Sequence, residues 1–294
     1  MIKSQNIKIA IASGKGGTGK TLIATNLFYT LQQKGVKITL IDCDAEEPND
    51  ILFFNTINET SYEVTQKVPV INETLCTFCG RCHEYCNYNA IFILPPSKII
   101  NVIEDLCHGC GACSVACTDG AITEKDVVLG TVTEFTLTDN ASIIEARTKV
   151  GIYSPVSVIK KAIQKVKNDS IVIMDAPPGT SCPFIHTVNA ADFVVLVTEP
   201  TPFGLSDLKQ SVDTLKTMNK NYGVIINRSG LGNDEVYKYL QTEGISLLME
   251  IPFDRTIATY YSKGEMLAAF DNEWEKKFLL LYDKIIQEYG NSSY

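Results

Sequence analysis

Residues 7–21 read IKIAIASGKGGTGKT, and this stretch decides the fold. Its first six residues form a short apolar run that predicts a buried strand, and a helical pattern begins at Lys20. The segment between them fits the pattern G-x-x-x-x-G-K-[ST], in which backbone N–H groups and the helix N-terminus bind phosphate oxygens. The sequence therefore predicts a strand, a phosphate-binding loop and a helix. The loop residues are Gly14, Lys15, Gly16, Gly17, Thr18, Gly19, Lys20 and Thr21.

The same alternation of apolar runs and helical patterns continues along most of the chain. Strand followed by helix, repeated, predicts an α/β fold with a mainly parallel sheet covered by helices on both faces. The exception is the long interval between the second and third predicted strands. Predicted strands are residues 7–12, 37–41, 171–174, 193–197, 223–226 and 247–251, and predicted helices are residues 20–34, 155–167, 206–218, 234–242 and 273–288.

Two predicted strands end in aspartates. Asp42 and Asp44 follow the second strand, and Asp175 follows the third. Carboxylates at the carboxyl ends of parallel strands lie where such sheets bind ligands, so they can hold Mg²⁺ or orient water. An aspartate after a strand also caps helices, but three of them beside a phosphate loop favour a ligand site. In the loop itself, Lys20 is expected to reach the β and γ phosphates and Thr21 to place its hydroxyl on Mg²⁺.

Eight of the ten cysteines form an internal repeat, with Cys107 lying 31 residues after Cys76 and the other pairs at the same offset. Each copy reads C-x2-C-x2-C-x3-C, a spacing in which three thiolates bind one 4Fe–4S cluster and the fourth binds the other cluster. The pattern resembles a two-cluster bacterial ferredoxin, although proline does not follow either fourth cysteine. Structural zinc is the alternative, and two identical quartets favour iron–sulfur. The predicted ligands are Cys76, Cys79, Cys82 and Cys117 for one cluster, and Cys86, Cys107, Cys110 and Cys113 for the other.

The loop has an additional lysine, Lys15, and in this it resembles the deviant Walker A motif of the MinD/ParA and nitrogenase-iron-protein class of P-loop ATPases. Residues 42–49 resemble the switch I segment of that class and residues 175–180 its switch II. Residues 199–201 resemble the segment after the next strand, and Asn227-Arg228 resembles the strand end that contacts adenine. With the cysteine repeat included, the chain looks like the ferredoxin-containing ATPases of the MinD superfamily.

This resemblance implies ATP and Mg²⁺ as cofactors beside the two 4Fe–4S clusters. It implies that Lys15 reaches the nucleotide of a partner subunit in a homodimer, or in a heterodimer with a related ATPase. Asp44 would position the attacking water, while Asp42 and Asp175 would support Mg²⁺ together with Thr21. Lys15, Lys20 and Asp44 would thus be the catalytic residues, and Asn227 and Arg228 would bind the nucleotide.

The domain organisation follows from the position of the repeat. Residues 1–67 and 127–294 are expected to form the P-loop ATPase domain, interrupted by a small α+β ferredoxin-like domain over residues 68–126. Residues 127–150 are expected to form a β-hairpin that returns the chain to the sheet. Cys43 and Cys182 lie in the switch segments. Cys182 is expected to be a small buried thiol, with a cluster ligand near the dimer axis as the alternative.

Composition narrows the function. A chain that is 45% hydrophobic and 20% charged is typical of a globular protein, and its net charge of −8 argues against a nucleic-acid partner. The N-terminal residues show no apolar signal region, and no window reaches about 18 uninterrupted apolar residues, so we expect a cytoplasmic protein without a stable membrane anchor. The leading hypothesis is an ATPase whose nucleotide state gates electron transfer to a redox or cofactor-assembly partner, with metal-cofactor maturation as one setting. The alternatives are an iron–sulfur cluster carrier or assembly ATPase, a MinD/ParA-like positioning ATPase and a cobyrinate-type amide ligase.

Overall fold

The computed structural model describes residues 6–166 and 170–291. The strands in this range are β1 Lys8–Ala12, β2 Ile38–Asp42, β3 Asn58–Ile71, β4 Ile91–Leu94, β5 Ile99–Val102, β6 Ile122–Thr138, β7 Ala141–Thr148, β8 Ile171–Asp175, β9 Phe193–Thr198, β10 Asn221–Ser229 and β11 Leu247–Pro252. The helices are α1 Lys20–Gln33, α2 Arg81–Glu84, α3 Ala112–Ala116, α4 Val156–Gln164, α5 Cys182–Asn189, α6 Pro202–Thr217, α7 Glu235–Glu243, α8 Arg255–Ser262, α9 Leu267–Phe270 and α10 Asn272–Asn291.

The described residues divide into two compact units. Unit 1 comprises Met1–Tyr62, Val132–Arg147 and Val156–Tyr294, and unit 2 comprises Glu63–Thr131 and Thr148–Pro155. The long strands β3 and β6 both cross the boundary, so the chain enters unit 2 along β3 and leaves it along β6.

Unit 1 is built around a sheet with the strand order β11-β10-β9-β1-β8-β2-β7-β6-β3. Every pair from β11 to β7 is parallel, and β1 lies between β8 and β9 with Ile9 beside Ile173 and Phe193. The central strands are buried along their whole length, as expected for a parallel sheet. These observations confirm the predicted α/β fold with a mainly parallel sheet.

The last helix provides one side of the core. Phe278, Leu281 and Ile285 of α10 are buried in the same cluster as the residues of α1 and the central strands, and Trp274 and Tyr289 pack against it. The apolar side of this helix therefore packs inside unit 1. In residues 6–166 and 170–291, no helix is both long and apolar enough to cross a membrane.

Several boundaries differ from the predictions. Helix α6 begins at Pro202 and not at residue 206, because the Thr201 hydroxyl accepts a hydrogen bond from the Gly204 N–H and caps an earlier turn. Helices α5, α8 and α9 were not predicted. Helix α4 ends at Gln164 in the structure, and residue 167, its predicted end, lies outside the described residues. Strands β6 and β7 are joined by a two-residue turn, and β7 lies parallel to β2.

Unit 2 repeats its backbone conformation as it repeats its sequence. Helices α2 and α3 begin at Arg81 and Ala112, which are 31 residues apart, and each follows a glycine with positive φ. Strands β4 and β5 form a separate antiparallel pair with Ile91 beside Val102. The two cysteine segments therefore fold alike. Positive φ angles recur at the matched pairs Phe78 and Gly109, Gly80 and Gly111, and Asn89 and Gly120.

Candidate nucleotide site and cysteine centres

The glycine-rich loop joins the end of β1 to the start of α1. Gly17 and Gly19 have φ angles of 75° and 98°, a conformation that costs other residues free energy. A Cβ atom at Gly19 would also lie 2.4 Å from the Asn227 amide nitrogen. The loop therefore requires glycine at position 19 for both reasons, and α1 begins directly after it with its N–H groups available to an anion.

The end of β10 is hydrogen-bonded to this loop. The buried Asn227 amide donates to the Thr18 carbonyl oxygen at 2.7 Å, and Arg228 donates to the Gly17 carbonyl oxygen at 3.4 Å. The Asn227 side-chain oxygen accepts from the Arg228 N–H at 2.8 Å. Both residues thus lie against the phosphate loop, and their contact with adenine stays a prediction.

Glu199 connects two cations at the loop, a role that sequence reasoning missed although it noted residues 199–201. Its carboxylate accepts from Arg228 at 2.6 Å and lies 3.5 Å from the Lys15 ammonium. Glu199 itself is 7% exposed, whereas the Lys15 side chain is 32% exposed. A buried carboxylate therefore holds the additional lysine of the loop within its own subunit in this structure.

Three aspartates lie at the ends of β2 and β8 and in the segment after β2. Thr21 donates its hydroxyl to Asp175 at 2.5 Å, and Asp42 accepts from the backbone N–H groups of Asp44, Asn49 and Asp50 at 3.0, 2.8 and 3.0 Å. Burial raises the pKa of Asp175 to about 6, opposed by the charge of Lys20. The structure thus brings together Thr21, Lys20, Asp42 and Asp175.

Asp50 belongs to the same cluster, although no motif in the sequence indicates it. It is fully buried, and none of the described residues gives either of its carboxylate oxygens a hydrogen bond. Burial and the charges of Asp42 and Asp175 raise its pKa well above the usual range. Its signal in the sequence is a charged residue directly after the predicted switch I segment.

Unpaired buried oxygens of Asp50 and Asp175 beside the Thr21 hydroxyl fit a hydrated divalent cation, because Mg²⁺ binds proteins through one or two carboxylates and keeps several waters. Across residues 6–166 and 170–291, no three His, Cys, Asp or Glu side chains converge so that they could hold a metal ion by themselves. Retained waters would supply the remaining contacts of Mg²⁺. Asp44 is half-buried nearby, and burial raises its pKa while Lys20 opposes this.

Replacing Asp50 with asparagine is expected to stabilise the metal-free protein at pH 7.5. A carboxyl with a raised folded-state pKa keeps a proton in the folded protein at pH values where the unfolded chain has lost it, so stability falls as pH rises above about 4. Asparagine carries no charge, so the variant avoids an unpaired buried carboxylate, which lowers the stability of the folded protein by about 1–3 kcal/mol. Thermal unfolding between pH 4.5 and 7.5 measures the effect, roughly 2–4 °C for each kcal/mol.

The exposed Asp139→Asn variant is the matched control, and it should unfold like the unmodified protein. Saturating Mg²⁺ is expected to reduce the advantage of Asp50→Asn, since the cation neutralises the same cluster. An unchanged melting temperature and an unchanged pH slope for Asp50→Asn would contradict this description of the cluster.

The two cysteines outside the repeat differ from each other. Cys43 is buried, and burial raises the pKa of its thiol well above the ordinary value. Cys182 is exposed, so the prediction that it is a buried thiol is wrong. It lies in the first turn of α5 after the N-cap Ser181, and the side of α5 that packs inward carries other residues. These are Phe184, Thr187 and Val188.

The eight repeat cysteines lie around two cavities of unit 2. Each cavity contains cysteines from both copies of the repeat, and each set is one of the two quartets that the spacing predicts. Both cavities open to solvent. The first is lined by Cys76, Cys79, Cys82 and Cys117, and the second by Cys86, Cys107, Cys110 and Cys113.

Backbone and side-chain donors surround the sulfur atoms. The N–H groups of Phe78 and Gly109 donate to the Cys76 and Cys107 sulfurs at 3.4 Å each, one bond in each copy of the repeat. The Arg81 guanidinium lowers the pKa of Cys79 by a hydrogen bond to its sulfur. Burial raises the thiol pKa of three further residues, Cys82, Cys107 and Cys113.

These quartets fit 4Fe–4S clusters in their donor set. Each cavity contains four thiols and backbone N–H donors, and a cubane binds each thiolate at a different iron. A structural zinc ion instead holds four thiolates around one point at about 2.3 Å. Among the described residues, no three His, Cys, Asp or Glu side chains converge on one point that a single ion could occupy.

A parallel sheet with this glycine loop between β1 and α1, and with carboxylates at the ends of β2 and β8, defines a P-loop nucleotide-binding protein. The family model for the CobQ/CobB/MinD/ParA nucleotide binding domain matches residues 9–267, and the chain belongs to this family.

Relatives extend along the whole chain. An uncharacterized protein of Methanocaldococcus jannaschii is 32% identical over 92% of this chain and 94% of its own length. A protein of Pyrococcus horikoshii named iron-sulfur cluster carrier protein is 24% identical over 97% of this chain and 88% of its own. The septum site-determining protein MinD from Pyrococcus horikoshii, solved with Mg-ADP, has the same fold, with a TM-score of 0.57, 20% identity and 98% of both chains covered.

Proposed function

We propose that this protein is a Mg²⁺-dependent ATPase that binds two 4Fe–4S clusters and transfers electrons through them under the control of its nucleotide state. The observation that carries the proposal is the pair of cavities in unit 2, each lined by one predicted cysteine quartet. The family of unit 1 supports the nucleotide part. The inserted cysteine unit, proposed to span residues 68–126 as a ferredoxin-like domain, supplies the redox part.

ATP hydrolysis needs positioning and charge neutralisation more than covalent help from the protein. Mg²⁺ would be held by Thr21 with Asp42 and Asp175, and it supplies positive charge to the phosphates. Lys20 contributes a buried cation at the start of α1, and half-buried Asp44 is suited to orienting water. The residues of the loop hold the phosphate oxygens through their N–H groups.

Lys15 is proposed to act in trans, in a dimer that holds ATP at its interface. In this structure it is partly exposed and held by Glu199 at 3.5 Å, so breaking one ion pair frees it. An ion pair of this exposure is worth about 0–1 kcal/mol, which a nucleotide phosphate of a second subunit easily offsets. The partner subunit is a second copy of this chain or a related ATPase.

Coupling between nucleotide and clusters is proposed to run along the chain. Asp42 fixes the backbone of Asp44, Asn49 and Asp50 by accepting their N–H groups, so the geometry of this segment depends on the Mg²⁺ carboxylates. Strand β3 begins shortly afterwards at Asn58 and continues into unit 2. A segment that senses the γ-phosphate can thereby alter cluster exposure or potential.

Anaerobic purification with iron and sulfide assays tests the proposal, followed by EPR of the reduced protein without nucleotide, with MgADP and with MgATP. We expect about eight irons per chain and a change of the EPR spectrum or the reduction potential with MgATP. The Asp44→Asn variant should bind ATP without hydrolysing it. It is therefore expected to keep the MgATP-induced change of the EPR spectrum or potential instead of returning to the MgADP state. Zinc in place of iron would contradict the redox proposal. EPR spectra and potentials that are the same with and without nucleotide would contradict the control of electron transfer by nucleotide state.

A second candidate is an iron–sulfur cluster carrier, favoured by the names of relatives such as the Pyrococcus horikoshii protein. The distinguishing measurement is transfer of clusters to an apo-protein that needs a 4Fe–4S cluster for activity. Activation of the acceptor with loss of iron from this protein supports the carrier. Retained iron with reduction of a redox partner supports electron transfer. The fold shared with MinD does not decide between these two outcomes, because fold alone does not define function.

A further inference from the structure

The two copies of the cysteine repeat match in sequence spacing and in backbone conformation, but they differ in the first residue of their helices. Arg81 is the first residue of α2, and Ala112 occupies the same position in α3. The Arg81 Nε donates to the Cys79 sulfur at 3.4 Å, and its Nη2 donates to the Thr118 hydroxyl at 2.5 Å. The second copy therefore lacks the cation that the first copy places on a cluster thiolate.

The charges that line the two cavities do not differ in number. Arg81 and Asp119 line the first cavity, 3.8 Å apart, and Lys67 and Glu124 line the second. The difference lies in what each cation contacts. The Lys67 ammonium is bound to Asp126 at 2.8 Å, whereas the Arg81 guanidinium is in hydrogen-bond contact with a cysteine sulfur.

Glu124 adds to the asymmetry on the other side. It lines the second cavity, and its carboxylate accepts from the Ser114 hydroxyl at 3.0 Å. A neutral hydroxyl partner leaves the negative charge of Glu124 uncompensated by that bond. In the first cavity Asp119 accepts from Thr77 at 2.8 Å and also faces Arg81. Among the described residues, the one cation that lines the second cavity, Lys67, is therefore shared between Asp126 and Glu124.

Reduction adds one negative charge to an iron–sulfur cluster, so cations and hydrogen bonds at its sulfur atoms favour the reduced state. We propose that Arg81 raises the reduction potential of the cluster at Cys76, Cys79, Cys82 and Cys117 above that of the other cluster, and so sets the direction of internal electron transfer. This inference rests on the proposed function. A low-potential one-electron donor reduces the quartet of Cys107, and that electron passes to the quartet of Cys76 without proton transfer. The cluster at the Cys107 quartet would return to its oxidised state, and the cluster at the Cys76 quartet would gain one negative charge.

The test uses the full-length, anaerobically prepared protein, titrated with dithionite and followed by EPR. Arg81→Gln removes the charge with little change of size, and we expect the electron partition between clusters to shift toward the second quartet by about tenfold, which corresponds to 59 mV for one electron. The matched variant Ala112→Arg places the cation on the other copy. It is expected to raise the potential of the second cluster while that of the first stays unchanged.

Single-cluster variants, in which Cys86 or Cys117 is replaced by alanine, assign each signal to its quartet. Full iron content with unshifted potentials in both Arg81→Gln and Ala112→Arg would overturn the inference while the two-cluster function stands. If Arg81→Gln loses iron, the Ala112→Arg result decides, because that variant keeps the first quartet intact. A protein without 4Fe–4S signals would overturn both the inference and the proposed function.

Discussion

Replacing Lys20 with alanine is expected to lower ATP turnover by about 100- to 1,000-fold, the usual effect of losing one preorganised charge at a reacting group. Lys20 is 7% exposed and begins α1 directly after the glycine loop. Its charge opposes the raised pKa of both Asp44 and Asp175. The variant therefore loses a phosphate contact and also leaves the carboxylates less ionised for Mg²⁺. Phosphate release with saturating MgATP measures the change.

Lys216→Ala is the matched control in the same unit. Its ammonium is exposed and pairs with Glu243 at 2.7 Å, so its removal is expected to change neither turnover nor stability appreciably. Iron content should be the same in both variants, because the cysteine quartets lie in unit 2. Turnover of Lys20→Ala within a few-fold of the unmodified protein would contradict the role of this lysine.

Single replacement of Cys76 or Cys117 with alanine is expected to remove the same cluster, about four of about eight irons per chain. The reason is that both line the first cavity, although Cys117 belongs to the second copy of the repeat. Cys86 lines the second cavity although it belongs to the first copy. Iron and sulfide assays of anaerobically purified variants measure the loss.

Double variants test this assignment directly, because the effects of replacing two ligands of the same cluster are not additive. Cys76→Ala with Cys117→Ala is expected to retain about four irons, and Cys76→Ala with Cys86→Ala to retain almost none. The reverse pattern would show that each copy of the repeat binds its own cluster. Nucleotide binding serves as the folding control, because unit 1 contains the phosphate loop and none of the eight repeat cysteines.

Much of unit 1 could be predicted because its signals are local. The phosphate loop and the six core strands appear where apolar runs and glycines indicated them, with shifts of a few residues. Helix α6 starts earlier than predicted because a side-chain cap at Thr201 extends it by about one turn. Helices as short as α5 and α9 have too few residues for the helical spacing of apolar side chains to be recognised in the sequence.

The chemistry that was missed depends on contacts between distant segments. Asp50 is inconspicuous in the chain, and its importance comes from burial against Asp175, more than a hundred residues away. Glu199 holds both Lys15 and Arg228, a contact that joins three segments. Cys182 was expected to be buried, but the face of α5 that it occupies is exposed. Residue type alone does not reveal which side of a short helix is covered.

The sequence by itself determined the α/β class, the phosphate loop and the two cysteine quartets, because glycine, lysine and cysteine spacings constrain the backbone directly over a few residues. Only the tertiary structure decided that Asp50 joins Asp42 and Asp175 in one buried cluster, and that Arg81 lies on a cysteine sulfur where the matched Ala112 offers nothing. Burial and charge proximity arise from packing of segments far apart in the chain or from side-chain direction. Spacing along the chain does not encode them.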